Sequence, residues 1–339
     1  MKLLCAFLIV VIHTKFIVSS HLGVIVHNMV SEGVCRIAVP FFFFAAGYFM
    51  SRHMEEDGWW WRELKKRIHS VLIPGVIFLF AYIAITYTLN SIRGGGNFDV
   101  LSDFGLDMRK TPLLVPTWFI RAFIIIAIIS PILYRIFGKK SKKTAIMYLL
   151  LLAITVFVVR PFSGCGGSDI YYFFNYGLSL EGLLYFSAGI FLRYHSVPMP
   201  TKNSSILMLL VGVILFGLKF ALLHWGYPGY AFRIGFFAIP FLLVGLYFSF
   251  PDIRLPTFLH NVSFPVYLIH VFVLSAIGGR CGARGDWALL TYDGGLSLWC
   301  CRVIVAFVSS LLIAQCIAIY FPRLNSALFG GRAGIKVIG

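Results

Sequence analysis

The sequence is poor in charge and poorer still in acid: only 12% of its 339 residues are Asp, Glu, Lys or Arg, and Asp and Glu together number 13. Soluble globular domains carry about 25% charged residues. With 59% hydrophobic residues, the folded chain would expose too much apolar surface to stay dispersed in water. An ordinary soluble enzyme is therefore excluded. The 7 cysteines include no CxxC or other metal-ligand spacing, and no His, Asp, Glu and Cys cluster has the spacing of a metal site. Cys300 and Cys301 are adjacent and cannot close an ordinary bridge. Cys165 and Cys281 fall in expected outer loops, where a disulfide between them is an open alternative. No Gly-x-Ser-x-Gly elbow of a nucleophilic serine is present. The N-terminal apolar stretch has no convincing cleavage site and reads as a retained helix.

What the chain does have is long apolar segments, each of about 17–25 residues, enough to cross a bilayer. They lie near 3–19, 34–51, 70–90, 117–137, 144–160, 176–194, 204–224, 231–250, 258–277 and 298–321. Trp59 to Trp61, Trp118, Trp225, Trp299 and Tyr320 sit at their ends, as interfacial belts require. The expected fold is all-α: a polytopic membrane helix bundle of ten transmembrane helices forming a single membrane domain over 1–339. The net charge of +16 invites a nucleic-acid reading. However, the basic residues gather in alternate short connections, such as 62–67 (RELKKR) and 139–143 (KKSKK). That is the signature of cytoplasmic loops, and it predicts both termini inside and no nucleic-acid partner.

Charged groups within spans are costly and by default mark function. Outside the loops remain Lys15, Arg36, Arg121, Lys219, Arg233 and Arg302, all in the outer third to half of the expected membrane, with Glu181 the acidic residue among them. Each cation can be read as snorkelling separately to the outer headgroups. Taken together, they read as an outward-facing basic vestibule for an anionic acceptor, such as a lipid-linked sugar pyrophosphate or an acidic glycan. His13 and His270 lie near the midplane of their spans. Each can serve as a helix–helix hydrogen-bonding group, or both can belong to a buried reaction centre, where imidazole takes a proton near neutral pH. Lys2 lies at the cytoplasmic mouth of the same helix as His13, about 16 Å away at 1.5 Å per residue. It reads either as a positive-inside anchor or as a grip for the phosphates of a cytoplasmic donor.

These residues carry a family resemblance. Lys2 and His13 match the basic-x10-His start of the acyltransferase family 3 membrane proteins. RIAVPFFFFAAGYF over 36–49 resembles that family's R-x-x-V-P-F-F-F-x-x-S-G-Y-F, and KRIHSVLIP over 66–74 its K-R-x-x-x-L-x-x-P. WFIRA over 118–122 and FPVYLIH over 264–270 are similar to W-F-L-R-A and F-P-x-Y-L-x-H. The matches run in order along nearly the whole chain. Ala46 departs from the pattern, standing where the family often has Ser. The segment of Arg121 also resembles the membrane half of vancomycin-resistance serine racemases.

The resemblance implies a ten-helix enzyme of the bacterial cytoplasmic (inner) membrane that uses acyl-CoA, usually acetyl-CoA, as donor, with an envelope glycan or lipid-linked sugar as acceptor. His13 would be the catalytic base, and Lys2, with Lys66 and Arg67, would hold the donor. His270 or a nearby cation would stabilise the oxyanion. The competing reading is a transporter or flippase for a small polar or lipid-linked solute, and a scaffold in an envelope-synthesis complex is a third.

Overall fold

Lipid offers no hydrogen-bond partner to the backbone, so an apolar chain must satisfy its own amides, and helices do so within one segment. The structure, a computed structural model, describes residues 1–14, 29–31, 33–92, 117–159, 173–195, 197–198, 200–249, 256, 259, 261–277 and 295–330. Lys15 and the Cys165–Cys281 pair lie outside the described residues. The helices are α1 (Lys2–His13), α2 (Ala38–Met50), α3 (Trp59–Arg67), α4 (Ile73–Ile92), α5 (Thr117–Phe137) and α6 (Lys142–Val159). They continue as α7 (Leu180–Tyr194), α8 (Lys202–His224), α9 (Pro228–Ser249), α10 (Ser263–Ala276), α11 (Gly295–Tyr320) and α12 (Pro322–Phe329). No strand occurs among the described residues.

Among the described residues, each apolar segment marked in the sequence contains a helix, some of them over only part of its length, and α3 and α12 are amphipathic. Among the described residues, six stretches are long and apolar enough to cross a membrane: Met29–His53, Trp59–Thr88, Thr117–Phe137, Lys142–Val159, Lys202–His224 and Leu296–Tyr320. Lys2–His13, Arg233–Ser249 and Ser263–Ala276 are apolar but shorter. The protein is an all-α, multi-pass membrane helix bundle.

The chain divides into two compact units. The first comprises Arg36–Leu64 and Ala122–Arg254, and small residues set its helix contacts. A Cβ added to Gly47 of α2 would lie 2.0 Å from the Phe186 carbonyl oxygen of α7, and one on Gly189 would lie 2.3 Å from the Phe44 carbonyl oxygen. The two backbones touch, as small-residue helix pairs in membranes do. In α5, Pro131 has no N–H to give the Ala127 carbonyl one turn back. The Ser130 hydroxyl donates to that carbonyl instead, at 2.7 Å. The next carbonyl, of Ile128, accepts the Trp60 indole N–H at 3.1 Å, which pins the start of α3 to α5. Before α3, Glu56 accepts from His53 at 2.6 Å and pairs with Arg62. The His53 hydrogen bond, aided by the nearby Arg62 charge, holds the Glu56 carboxyl below its ordinary range.

The second unit comprises Lys2–Cys35, Lys65–Arg121 and Leu255–Gly339. Here α10 packs on α4, with the Phe272 ring 5.6 Å from Phe78 and 5.8 Å from Tyr82. The fully buried Phe329 of α12 lies 5.8 Å from Phe78. Gly330 ends α12 at φ 62°, a left-handed conformation suited to glycine. A Cβ there would also lie 2.7 Å from the Ser70 Cα. That contact falls on the five-residue π-helical stretch Ile68–Leu72, directly after Arg67.

Candidate functional site

The second unit carries both histidines singled out in the sequence. α1 is built of branched and small apolar residues that bury Cys5, Ala6 and the 8–11 run, and it ends at His13. Lys2 opens the same helix and is exposed, about 16 Å from His13 at 1.5 Å per residue. α11 runs antiparallel to α1. The Phe307 ring meets Phe7 at 5.2 Å in mid-helix, and the Trp299 indole N–H donates to the Thr14 carbonyl at 3.1 Å at the end of α1. The residue after His13 is thereby held by a side chain 285 positions away in sequence. Thr14 also donates its hydroxyl to the Val10 carbonyl at 2.7 Å, closing the last turn of the helix.

α10 supplies the second histidine. Every residue from Pro265 to Val271 is buried, and His270 has no exposed surface. Its Nδ1 lies 3.2 Å from the Val266 carbonyl oxygen one turn earlier, a bond in which the ring nitrogen must be the donor. The other ring nitrogen, Nε2, is enclosed and has no hydrogen-bond partner among the described residues. Leaving a buried polar atom unmet costs about 1–3 kcal/mol. The His13 and His270 rings lie 5.3 Å apart, tilted by 40°. Tyr267 continues the wall at 6.1 Å from His270, and Phe119 at the start of α5 packs on Tyr267 at 5.8 Å.

The other expected site residues divide between the units. Lys66, Arg67, Arg121 and Arg302 share the second unit with Lys2 and the two histidines. Lys66 is exposed, while Arg67, Arg121 and Arg302 are partly buried. Arg302 follows Trp299 by three residues, so it lies on the helix face that meets the end of α1. Arg121 follows Phe119 by two residues, which turns it about 200° away from the Tyr267 contact. Arg36, Glu181, Lys219 and Arg233 belong to the first unit. Arg36 is half-buried in the 3-10 turn Val34–Ile37 before α2. Glu181 sits in the first turn of α7, behind a Ser179 cap that accepts the Gly182 N–H at 3.1 Å, where the helix dipole favours a carboxylate. Lys219 is buried, with Nζ 5.4 Å from the Phe220 ring centre and 5.6 Å from that of Phe216. Its stem runs past Gly235, where a Cβ would stand 3.0 Å from Lys219 Cδ. Arg233 is exposed, its guanidinium 5.3 Å from the Phe157 ring centre. Aromatic faces thus receive both cations.

Sequence reasoning missed Trp299 and Tyr267. Trp299 was grouped with the interfacial belt, yet it is 7% exposed and bonded to α1, unlike Trp225 at 65%. Its three-residue spacing from Arg302 was the available signal. It missed Glu63 as well, which is buried in the otherwise basic 62–67 run.

A family profile described as Acyltransferase domain matches residues 1–319. The chain belongs to that family. The succinoglycan biosynthesis protein ExoH of Rhizobium meliloti (strain 1021) is 25% identical over 294 residues, covering 79% of this chain. The chain spans 64% of the length of that relative. No solved structure matches the chain. Among the described residues, no three His, Cys, Asp or Glu side chains converge as metal ligands would. Two imidazoles at a helix end, one with a fixed proton position, suit proton transfer.

Proposed function

We propose that the protein transfers an acyl group, acetyl in the first instance, from cytoplasmic acyl-CoA to a hydroxyl of a cell-envelope sugar or lipid-linked glycan. The observation that carries this reading is the layout of α1 within a chain of this family: an exposed Lys2 opens the helix and His13 closes it beside a buried His270. The similarity to ExoH, a succinoglycan biosynthesis protein, favours an envelope glycan as acceptor.

On this reading the donor's phosphates rest near Lys2, with Lys66 and Arg67 assisting, and its extended arm runs along α1 to bring the thioester to His13. His13 takes the acceptor hydroxyl proton as the oxygen attacks the thioester carbonyl. The new C–O bond forms, the C–S bond breaks, and the proton held by His13 passes to the CoA sulfur. Arg121 and Arg302, in the same unit as His13, would draw in an anionic acceptor. The aromatic partners of Lys219 and Arg233 account for those two as packed and snorkelling cations. The whole chain, 1–339, would form one domain of ten crossings in the bacterial inner membrane, with both termini in the cytoplasm.

The test is in the native host. Deleting the gene should remove base-labile acetate from envelope glycan. The wild-type copy should restore it, and a His13→Ala copy expressed at equal level should not. An unchanged acetate content after deletion would contradict the reading.

A further inference from the structure

His270 shows which way its protons lie. Because a carbonyl oxygen only accepts, the 3.2 Å contact with Val266 places the ring hydrogen on Nδ1. In the neutral ring, Nε2 then carries only a lone pair. That lone pair is enclosed, and no donor among the described residues bonds to it. In that tautomer Nε2 has no hydrogen to offer an oxyanion. What it can do is accept. The neighbour in reach is His13, at a ring-centre distance of 5.3 Å. An imidazole–imidazole hydrogen bond of about 2.9 Å sets ring centres about 5 Å apart, which matches the spacing of these two rings. His270 itself is gripped by buried neighbours and by Val266, and the end of α1 is gripped by Trp299 through Thr14.

We propose that His270 is a positioning residue for His13: its Nε2 accepts one His13 ring N–H and so leaves the other His13 nitrogen as the base. The same bond stabilises the imidazolium formed when His13 has taken the hydroxyl proton, as the third member of a nucleophile–base–orienter set does. This inference rests on the acyl-transfer reading given above.

Two substitutions separate the ring's two contacts. In His270→Asn the amide reaches only to the position of Nδ1, so the Val266 contact survives and the acceptor at Nε2 is lost. His270→Gln can place a carbonyl oxygen where Nε2 was. The assay is the initial rate of labelled acetyl transfer from acetyl-CoA into the glycan fraction of native-host membrane vesicles, at varied acetyl-CoA. H270N should lower kcat by about 100-fold with KM for acetyl-CoA within about 2-fold, while H270Q should keep at least about a tenth of the wild-type rate. Adding H270N to a His13→Ala protein should cost nothing further, since the two residues act as a unit.

Melting temperature and acetyl-CoA binding of each purified variant identify which ones are folded. If H270N does not fold, H270Q decides alone: retained rate supports the role, and loss in a folded protein overturns it. A wild-type rate for H270N overturns the inference, as does H270N outperforming H270Q, which would mark the Val266 contact as the one that matters. Wild-type vesicles that transfer no acetyl overturn it together with the acyl-transfer reading. An active wild type with an indifferent His270 overturns the inference alone.

Discussion

At the scale of single residues, the site depends on how a short helix end is held. His13 closes α1, and beyond its backbone the fixed point is the Thr14 carbonyl, which receives the Trp299 indole N–H at 3.1 Å. Trp299→Phe keeps an aromatic side chain, though a smaller one, and deletes that donor. It should cost about 1 kcal/mol of stability for the lost bond. It should also lower the transfer rate by about 10-fold through a loosened His13, with KM for the donor little changed. A rate equal to wild type would show that the end of α1 needs no such anchor. Both histidines were legible in the sequence because titratable groups at mid-span are conspicuous. Their pairing was not, since the link between positions 13 and 270 exists only once α1 and α10 pack. Nor was the Nε2 lone pair, which depends on the Val266 carbonyl and on no pattern of residue types.

At the scale of elements, glycines and one proline carry the close contacts. Gly47→Ala forces a methyl to within 2.0 Å of the Phe186 carbonyl oxygen, and backbone cannot yield as a side-chain tip does. Overpacking of this kind costs about 1–3 kcal/mol, and the separation of α2 from α7 should show as a clear fall in melting temperature in detergent. Gly217→Ala on α8 is the control, because a Cβ there meets nothing within 4 Å. That change should be neutral or stabilising by up to about 1 kcal/mol. Equal effects from the two would contradict the packing account. Ser130→Ala should leave the Ala127 carbonyl without its donor and lower stability by about 1 kcal/mol in the same assay. The helices themselves were plain from the apolar runs. Gly47 stood within a recognised motif, but the reason for a glycine there lies in α7, more than a hundred residues later. The π-helical stretch Ile68–Leu72 gave no signal in the sequence, and neither did the use of Ser130 to replace the missing proline N–H.

At the scale of the whole molecule, charge placement and hydropathy predicted a polytopic all-α membrane protein, and the structure and the family match agree on that. The sequence did not disclose the division into two units. Lys2, His13, Lys66, Arg67, Arg121, His270 and Arg302 lie in one unit, and Arg36, Glu181, Lys219 and Arg233 in the other. Depth along a span says nothing about which helices are neighbours, so cations at equal depth looked alike until packing sorted them. The central claim is that this chain binds acyl-CoA from the cytoplasmic end of α1 and spends it at His13. Calorimetric titration of the detergent-purified protein with acetyl-CoA tests it most directly, using wild type, Lys2→Ala and His13→Ala. On the proposed mechanism wild type and His13→Ala should bind alike, since His13 would act on the reacting centre, and Lys2→Ala should bind about 10-fold more weakly for loss of a charge-assisted phosphate contact. No heat of binding from folded wild type at millimolar acetyl-CoA, or equal affinity in all three proteins, would contradict the account.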